Sequence, residues 1–244
     1  MYLGNSLVLI LNKLFGKFQL KIKSRESAGN ILAGLLRDSL KEARSDIIIV
    51  GLPRGGFIVA EIIAKKLSCI LYMILVKRLR APFNEEIAIG AVTNDGTTYL
   101  NKSIIEELKI TEDYINNELS HQLEEIKLQA DMYFDGKKQF SSENNNNVTG
   151  KTIIIVDDGA ATGSTIIATI KSLRNRHHPK RIIVAIPVSP RSTVNLLRRE
   201  GIEHVEVIIS PADNNFRSIE QFYHNFDQVS HSQVLDIIHA SKNK

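Results

Sequence analysis

The chain has 244 residues, of which 43% are hydrophobic and 24% charged, and its formal net charge is +4 at pH 7. This length suits one α/β domain with additions, and the modest, dispersed positive charge does not indicate a nucleic-acid-binding protein. The single cysteine, Cys69, excludes a disulfide within the chain.

The first residues include a short apolar run at positions 7–11. Five residues are too few to span a membrane, and no small-residue cleavage site follows them. We interpret residues 1–17 as an N-terminal extension, with a helix on a membrane surface as the alternative. We expect a cytoplasmic protein with no membrane partner, whose folded domain covers residues 18–240.

Helices and strands alternate in the first part of this domain. Apolar residues recur at helical spacing in two segments, and two uninterrupted apolar runs are typical of buried parallel strands. The helices are predicted at 28–43 and 57–67, and the strands at 47–51 and 70–76. A tight loop, LPRGG, occupies residues 52–56, and a basic loop is expected over residues 77–87.

A hairpin and a helical insertion are predicted in the middle of the chain. Asn94-Asp95-Gly96 is a strong turn signal between a strand near 88–93 and a return at 97–100. Thr111 is a plausible N-cap for a charged helix that runs to about Lys138. We treat residues 102–140 as a helical insertion. The polar segment 141–150, with four consecutive asparagines, is expected to be a mobile surface loop.

The second half repeats the alternation of strands and helices. Strands are predicted at 153–156, 181–187 and 205–209, and helices at 166–175 and 193–199. Ser230 and Gln233 form a capping box for a last helix. The pattern predicts an α/β fold with a mostly parallel sheet flanked by helices.

The most informative segment is residues 157–165, which follow a buried strand and open a helix. Its small residues and hydroxyls would present backbone N–H groups and a positive helix end to a phosphate. Asp157 and Asp158 offer acceptors for sugar hydroxyls, or for water around a cation. The segment has neither the lysine of a Walker loop nor dinucleotide-binding glycine spacing. A structural Asp-Gly turn, or the acidic pocket of a phosphatase or receiver domain, is the alternative.

Two further segments are expected at the same edge of the sheet, because ligands of open α/β sheets bind outside the carboxyl ends of the strands. Arg54 stands beside a double glycine and could form a second anion site, or only an ordinary turn. The basic residues of 77–80 could contact a ligand or remain solvated. Two anion sites with an acidic pair between them suit a ribose that carries two phosphate groups.

The run VDDGAATGST resembles the signature of type I phosphoribosyltransferases, which bind 5-phosphoribosyl 1-pyrophosphate (PRPP). LPRGG is similar to their pyrophosphate-binding loop. VKRLRAPFNEEIAIGAV and FDQVS resemble a subgroup of stand-alone phosphoribosyltransferase-domain proteins whose acceptor is unsettled. The resemblance covers roughly residues 18–238 and implies the type I fold, with a small hood or tail region.

The resemblance also implies a role for each motif. Asp157 and Asp158 would hold the ribose hydroxyls, and the rest of the PRPP-binding set would be Gly159, Ala160, Ala161, Thr162, Gly163, Ser164 and Thr165. Pyrophosphate would be bound by Pro53, Arg54, Gly55 and Gly56, in a loop with a non-proline cis peptide. Arg54, Lys77 and Arg78 would be catalytic. Mg²⁺ would arrive with PRPP and reach Asp157 and Asp158 only through water.

Two positions depart from the family pattern. Ala161 stands where 6-oxopurine enzymes carry an acid, so a general base is not identified, and His231 stands where the subgroup suggests an acid. The tail aromatics Phe216, Phe222 and Tyr223 either stack on a planar base or pack the tail onto the domain.

The expected function is transfer of the phosphoribosyl group from PRPP to a nitrogenous acceptor, such as a nucleobase, with release of pyrophosphate. The alternative is a non-catalytic sensor or regulatory protein that binds PRPP. The expected partners are PRPP and a small-molecule acceptor, and we expect a homo-oligomer.

Overall fold

The computed structural model describes residues 20–134 and 148–242. The expected N-terminal extension, and residues 141–147 of the expected mobile loop, lie outside these ranges.

The described residues form helices, strands and three single 3₁₀ turns. The helices are α1 (Arg25–Ser39), α2 (Gly55–Leu67), α3 (Lys102–Glu107), α4 (Glu112–Phe134), α5 (Ser164–His177), α6 (Arg191–Arg199) and α7 (His231–Lys242). The strands are β1 (Ile47–Gly51), β2 (Ile70–Met73), β3 (Val76–Ala81), β4 (Asn84–Thr93), β5 (Thr98–Leu100), β6 (Thr152–Val156), β7 (Arg181–Val188) and β8 (His204–Ile209). The 3₁₀ turns are Arg44–Asp46, Asp213–Asn215 and Glu220–Phe222.

The main sheet has five parallel strands in the order β2-β1-β6-β7-β8. Alternate residues of its strands are buried on opposite faces. Ile47 and Ile49 pack with α1 and α2, whereas Ile48 and Val50 pack with α5. Burial on both faces explains why the strands read as continuous apolar runs. The prediction of a mostly parallel sheet flanked by helices is confirmed.

A second, antiparallel sheet of β3, β4 and β5 stands beside the main one. The predicted turn at 94–96 is confirmed, but two other predictions here were wrong. The apolar run 70–76 is divided between β2 and β3, and the expected loop 77–87 is largely the β3–β4 hairpin. Leu79 and Ile89 of this hairpin are fully buried against Ile126 and Tyr133 of α4.

Helix α4 holds β3 at Arg80 by hydrogen bonds to its backbone. The Arg80 amide donates to Oε1 of Glu118 at 2.9 Å, and the Tyr114 hydroxyl donates to the Arg80 carbonyl at 3.1 Å. The Tyr114 amide donates in turn to the Thr111 hydroxyl at 3.3 Å, which confirms the predicted N-cap. The basic strand is therefore fixed to the helix rather than free in a loop.

The C-terminal segment returns to the start of α1. The Ile22 amide donates to the Phe222 carbonyl, and the His224 amide donates to the Ile22 carbonyl, each at 2.8 Å. Phe222 and Tyr223 are buried, and the Phe216 ring stacks on Phe222 with its centroid 5.9 Å away. These tail aromatics pack the tail onto the domain. No helix in ranges 20–134 and 148–242 is long and apolar enough to cross a membrane.

The last helix begins as its sequence predicts. The Ser230 amide donates to the side-chain oxygen of Gln233 at 2.9 Å, and the Gln233 amide donates to the Ser230 hydroxyl at 3.2 Å. This reciprocal pair is the predicted capping box. It fixes the position at which His231 enters α7.

Candidate functional site

The loops after β1 and β6 leave the same edge of the sheet side by side. In the parallel pairing of these strands, Gly51 is opposite Val156. The pairing continues one step further, because the Leu52 amide donates to the Val156 carbonyl at 3.0 Å. The segments 52–56 and 157–165 therefore meet at the carboxyl ends of neighbouring strands, where α/β proteins bind ligands.

The double glycine of the first loop lies directly against the acidic pair of the second. A Cβ built on Gly56 would stand 2.6 Å from Cα of Asp157, and one built on Gly55 would stand 2.6 Å from Cγ of Asp158. Real Cβ atoms do not come this close to other atoms. A side chain at position 56 would meet backbone, and one at position 55 would have to displace the side chains of Asp158 and Arg25. The peptide bond between Pro53 and Arg54 is cis, as the resemblance implies.

The carboxyl group of Asp157 is the most perturbed acid of the site. Burial and then the negative charge of Asp158 raise its pKa well above the ordinary value, and the nearby Arg78 opposes this shift. The Asp158 amide donates to Oδ1 of Asp157 at 2.9 Å. A half-buried acid with a like charge beside it favours a ligand that donates hydrogen bonds or supplies positive charge.

Asp158 is held by two groups from outside its own loop. Nε of Arg25 lies 2.7 Å from Oδ2 of its carboxylate, and the Tyr223 hydroxyl donates to its backbone carbonyl at 2.9 Å. Arg25 begins α1, whereas Tyr223 belongs to the C-terminal tail. The first helix and the C-terminal tail thus meet at the second acid of the pair.

The loop that follows has the form of a phosphate cradle. Gly163 is left-handed, with φ of 73°, and α5 begins at the next residue. The hydroxyls of Thr162 and Ser164 lie 3.0 Å apart at this helix start. The amides of a first helical turn have no acceptor within the helix and can bind an anion.

Hydrogen bonds join residues 160 and 161 of this loop to β7 and α6. The Ala160 amide donates to the Val188 carbonyl at 2.9 Å, so it holds the loop against β7 instead of facing a ligand. The Thr193 hydroxyl donates to the Ala161 carbonyl at 2.6 Å. The Ala161 side chain is exposed and has no proton-accepting group.

The three cations predicted to be catalytic have different neighbours. Burial lowers the pKa of Lys77, Glu125 opposes this shift from 3.9 Å away, and the positive charges of Arg54 and Arg80 add to it. Arg78, on the same strand, acts on the carboxyl of Asp157. Arg54 therefore lies near Lys77, and Arg78 lies near Asp157.

Arg80 differs from its neighbours on β3. Its guanidinium pairs with Glu85 across the hairpin at 2.9 Å, and both side chains are largely exposed. Its backbone is held by α4. Arg80 therefore stabilises the hairpin through its ion pair with Glu85.

Tyr133 was not predicted from the sequence. It pairs with His231 near Arg54 and Lys77. The Tyr133 hydroxyl and Nδ1 of His231 lie 2.7 Å apart. Burial lowers the pKa of His231, and the positive charges of Arg54 and Lys77 lower it further. The sequence carries no signal for this pair, because its members are 98 positions apart.

Arg25 was also missed, although the sequence holds a signal for it. It is the first residue of a helix, where acidic side chains are favoured and a cation faces the positive end of the helix dipole. A basic residue placed there needs a partner outside the helix. That partner is Asp158.

A metal bound by protein groups alone has little to hold it here. Within the described ranges, no group of three or more His, Cys, Asp or Glu side chains could hold a metal ion. The carboxylate groups of the two site loops are those of Asp157 and Asp158.

Comparison with known proteins assigns the fold and its loops to a family. Residues 19–226 match the family described as the phosphoribosyl transferase domain. The chain belongs to this family. The match covers both strand-end loops, Arg25 and Tyr223, so both residues that hold Asp158 lie within the matched range.

Relatives in Mycobacterium tuberculosis agree with this assignment. Two curated proteins, from strains CDC 1551 and H37Rv, are each 32% identical to the chain over 212 residues, or 86% of its length. Both are named "Putative phosphoribosyl transferase". The match covers 45% of each relative, so the chain spans about half the length of the curated relatives it matches.

A solved structure supports the same fold. The crystal structure of TT1426 from Thermus thermophilus has a TM-score of 0.69 and 27% sequence identity to the chain. The alignment covers 90% of this chain and 98% of that one. The fold is therefore similar over most of this chain and nearly all of that one.

Proposed function

We propose that this chain transfers the phosphoribosyl group of PRPP to a nitrogenous acceptor, such as a nucleobase, and releases pyrophosphate. One observation carries the proposal: the carboxylates of Asp157 and Asp158 lie directly against the double glycine of the PRGG loop. A ligand with a sugar diol on one side and a pyrophosphate on the other would touch both loops at once. Membership of the phosphoribosyl transferase domain family supports this interpretation.

The sugar end of PRPP would be bound by the β6 loop. Asp157 and Asp158 would accept hydrogen bonds from the 2- and 3-hydroxyls, which relieves the crowding of two adjacent acids. The hydroxyls of Thr162 and Ser164, together with the first-turn amides of α5, would hold the 5-phosphate. Gly163 supplies the left-handed backbone, with φ of 73°, that brings the loop to the start of α5.

The reaction needs little covalent chemistry from the protein. The bond between C1 of the ribose and the pyrophosphate oxygen breaks, and its electron pair leaves with pyrophosphate. The acceptor nitrogen bonds to C1, and a proton carried by that nitrogen is released to water. Between the breaking of one bond and the completion of the other, the sugar has oxocarbenium character. Arg54, Lys77 and Arg78 would stabilise the negative charge that grows on the leaving group, and one preorganised contact of this kind is worth about 3 kcal/mol.

Magnesium fits this site as an ion that arrives with the ligand. Carboxylate and phosphate oxygens are the donors that Mg²⁺ prefers, and Mg²⁺ usually keeps several of its waters. Asp157 and Asp158 would hold it through such waters. When bound, it would neutralise part of the pyrophosphate charge.

The proposal is tested by measuring pyrophosphate release from PRPP and Mg²⁺ with a panel of nitrogenous acceptors, alongside calorimetric binding of PRPP. We expect saturable binding and release with at least one acceptor. The double variant Asp157→Asn, Asp158→Asn should fold and bind PRPP far more weakly. Folded protein that takes up no PRPP would overturn the proposal, and binding without turnover on any acceptor would favour a sensor.

A further inference from the structure

We propose that Arg25 is a positioning residue of the sugar site. Its guanidinium fixes the carboxylate of Asp158 in the orientation that accepts a ribose hydroxyl, and it attaches the C-terminal segment 222–227 to that site. This inference rests on the proposed function, because it names the residue that prepares one of the two acids for the ribose.

The guanidinium of Arg25 is held on three sides. Nε lies 2.7 Å from Oδ2 of Asp158, and Nη1 donates to the backbone carbonyl of Asp227 at 2.7 Å. Its central carbon lies 3.9 Å from the centroid of the Phe226 ring. The side chain is only 11% exposed. Charge-assisted hydrogen bonds in two directions and a stacked face leave the guanidinium one orientation.

Stability of α1 does not explain this placement. Ser24 caps the helix by accepting a hydrogen bond from the Ser27 amide at 3.3 Å, and Arg25 follows at once. A cation in a first turn is repelled by the positive end of the helix dipole, and its burial adds a desolvation cost. Both costs are offset by the contacts to Asp158 and Asp227. An arginine at position 25 is therefore explained by its contacts to Asp158 and Asp227 and not by the stability of the helix.

The contact prepares Asp158 for a hydroxyl ligand. A carboxylate has two oxygens and about four acceptor sites, so one oxygen held by Arg25 leaves capacity for a ribose hydroxyl. The Tyr223 hydroxyl fixes the backbone of the same residue through its carbonyl. The positive charge of Arg25 also opposes the repulsion between Asp158 and Asp157.

The same contacts make the C-terminal segment part of the sugar site. Ile22 and Tyr223 form an isolated parallel bridge, and the Asn225 amide donates to the Lys23 carbonyl at 3.0 Å. The segment thus runs along the residues that precede Arg25, and Phe226 then covers its guanidinium. A shift of this segment would move Arg25 and, through it, Asp158.

The test compares two ligands in Arg25→Met by calorimetry. Ribose 5-phosphate needs both the acidic pair and the phosphate cradle, whereas inorganic phosphate needs only anion sites. We expect ribose 5-phosphate affinity to fall about tenfold or more, the usual effect of losing a hydrogen bond to a charged group. Inorganic phosphate affinity should change little. The matched control is Arg37→Met, an exposed arginine at the other end of α1, which should change neither affinity.

Three outcomes would overturn the inference. An equal loss of affinity for both ligands would mean that Arg25 supports the structure in general. An unchanged affinity for ribose 5-phosphate would mean that Arg25 does not position the sugar site. If the unaltered protein bound no ribose 5-phosphate, the proposed function would fail as well, so the two failures are distinguishable.

Two more variants extend the test, and the first of them replaces Arg25→Met if that variant folds poorly. Arg25→Lys retains the charge but cannot reach Asp158 and the Asp227 carbonyl together, so we expect an intermediate affinity for ribose 5-phosphate. Adding Arg25→Met to Asp158→Asn should cost no further ribose 5-phosphate affinity, because Arg25 acts through that acid. Additive losses would contradict a positioning role.

Discussion

Gly55 lies directly against the side chain of Asp158, where a Cβ would stand 2.6 Å from Cγ of the acid and 2.7 Å from Nε of Arg25. The substitution Gly55→Ala must therefore displace the acid, the arginine or the loop. We expect it to weaken PRPP binding by about tenfold or more, since a preorganised charged contact is lost. Isothermal titration with PRPP and Mg²⁺ measures the effect.

Gly34 supplies the matched control for this substitution. It lies in α1, and a Cβ built on it meets no atom within 4 Å. Gly34→Ala should leave PRPP binding unchanged and stabilise the helix by up to about 1 kcal/mol. If Gly55→Ala bound PRPP as tightly as the unaltered protein, the close contact would have no role in binding.

Asp157 should lower the free energy of unfolding at neutral pH. Burial and the neighbouring Asp158 raise its pKa in the folded state. As pH rises above about 4, the unfolded chain loses this proton first, so stability falls until the folded group has ionised as well. We therefore expect Asp157→Asn to raise the free energy of unfolding, more at about pH 7.5 than at about pH 4. The same variant should weaken PRPP binding.

Urea unfolding at both pH values measures this effect, and Asp38→Asn is the control. Asp38 is an exposed acid on α1, so its substitution should change stability little at either pH. A loss of stability in Asp157→Asn at neutral pH would show that ionised Asp157 contributes favourably to the fold.

The main sheet could be predicted from sequence because its signals are local. Ile47 to Val50 and Ile153 to Val156 are β-branched runs of strand length, and Asn94-Asp95-Gly96 has the chemistry that a tight turn requires. The site loops follow such strands directly. Their position at one edge of the sheet was therefore predictable, and the structure places them there.

The β3–β4 hairpin was not predicted because buried and exposed residues do not alternate regularly along β3. On β3 the buried residues are Val76, Leu79 and Ala81, which are spaced by three and then by two. The pairing register also shifts on both sides of Arg80, and a period of two is not kept along the whole strand. The contact of Arg25 with Asp158 escaped for another reason: it joins residues 133 positions apart.

Asp95 should contribute stability that depends on its charge. Burial alone would raise its pKa, but hydrogen bonds from Thr93, Thr97 and Ser172 lower it to about 2. Arg176 lies 2.7 Å from the same carboxylate. The contribution is complete above the ordinary pKa of about 4 and is lost as pH falls toward about 2. Asp95→Asn, which keeps turn-forming chemistry, should lower the free energy of unfolding by about 2 kcal/mol at neutral pH.

Chemical unfolding at neutral pH and at about pH 3 checks this dependence. The difference between Asp95→Asn and the unaltered protein should shrink at the lower pH. Asp131→Asn, at an exposed position of α4, is the control and should have little effect. A difference that did not depend on pH would mean that the charge of Asp95 is not what stabilises the turn.

Lys77 should act on the leaving group and not on the sugar. It is partly buried near Arg54, with Glu125 3.9 Å away, and α4 holds its strand through Arg80. Lys77→Met should lower kcat for pyrophosphate release by about 100-fold, the usual cost of a preorganised charge-stabilising group. Ribose 5-phosphate affinity should stay the same, because that ligand has no pyrophosphate.

The control for Lys77 is Lys102→Met, at an exposed position of α3, which should change neither quantity. The comparison separates binding from chemistry, because an interaction made only in the transition state lowers kcat and leaves ligand affinity unchanged. If Lys77→Met weakened ribose 5-phosphate binding and left kcat unchanged, the lysine would belong to the sugar site. The leaving group would then depend on Arg54 and Arg78 alone among the three predicted cations.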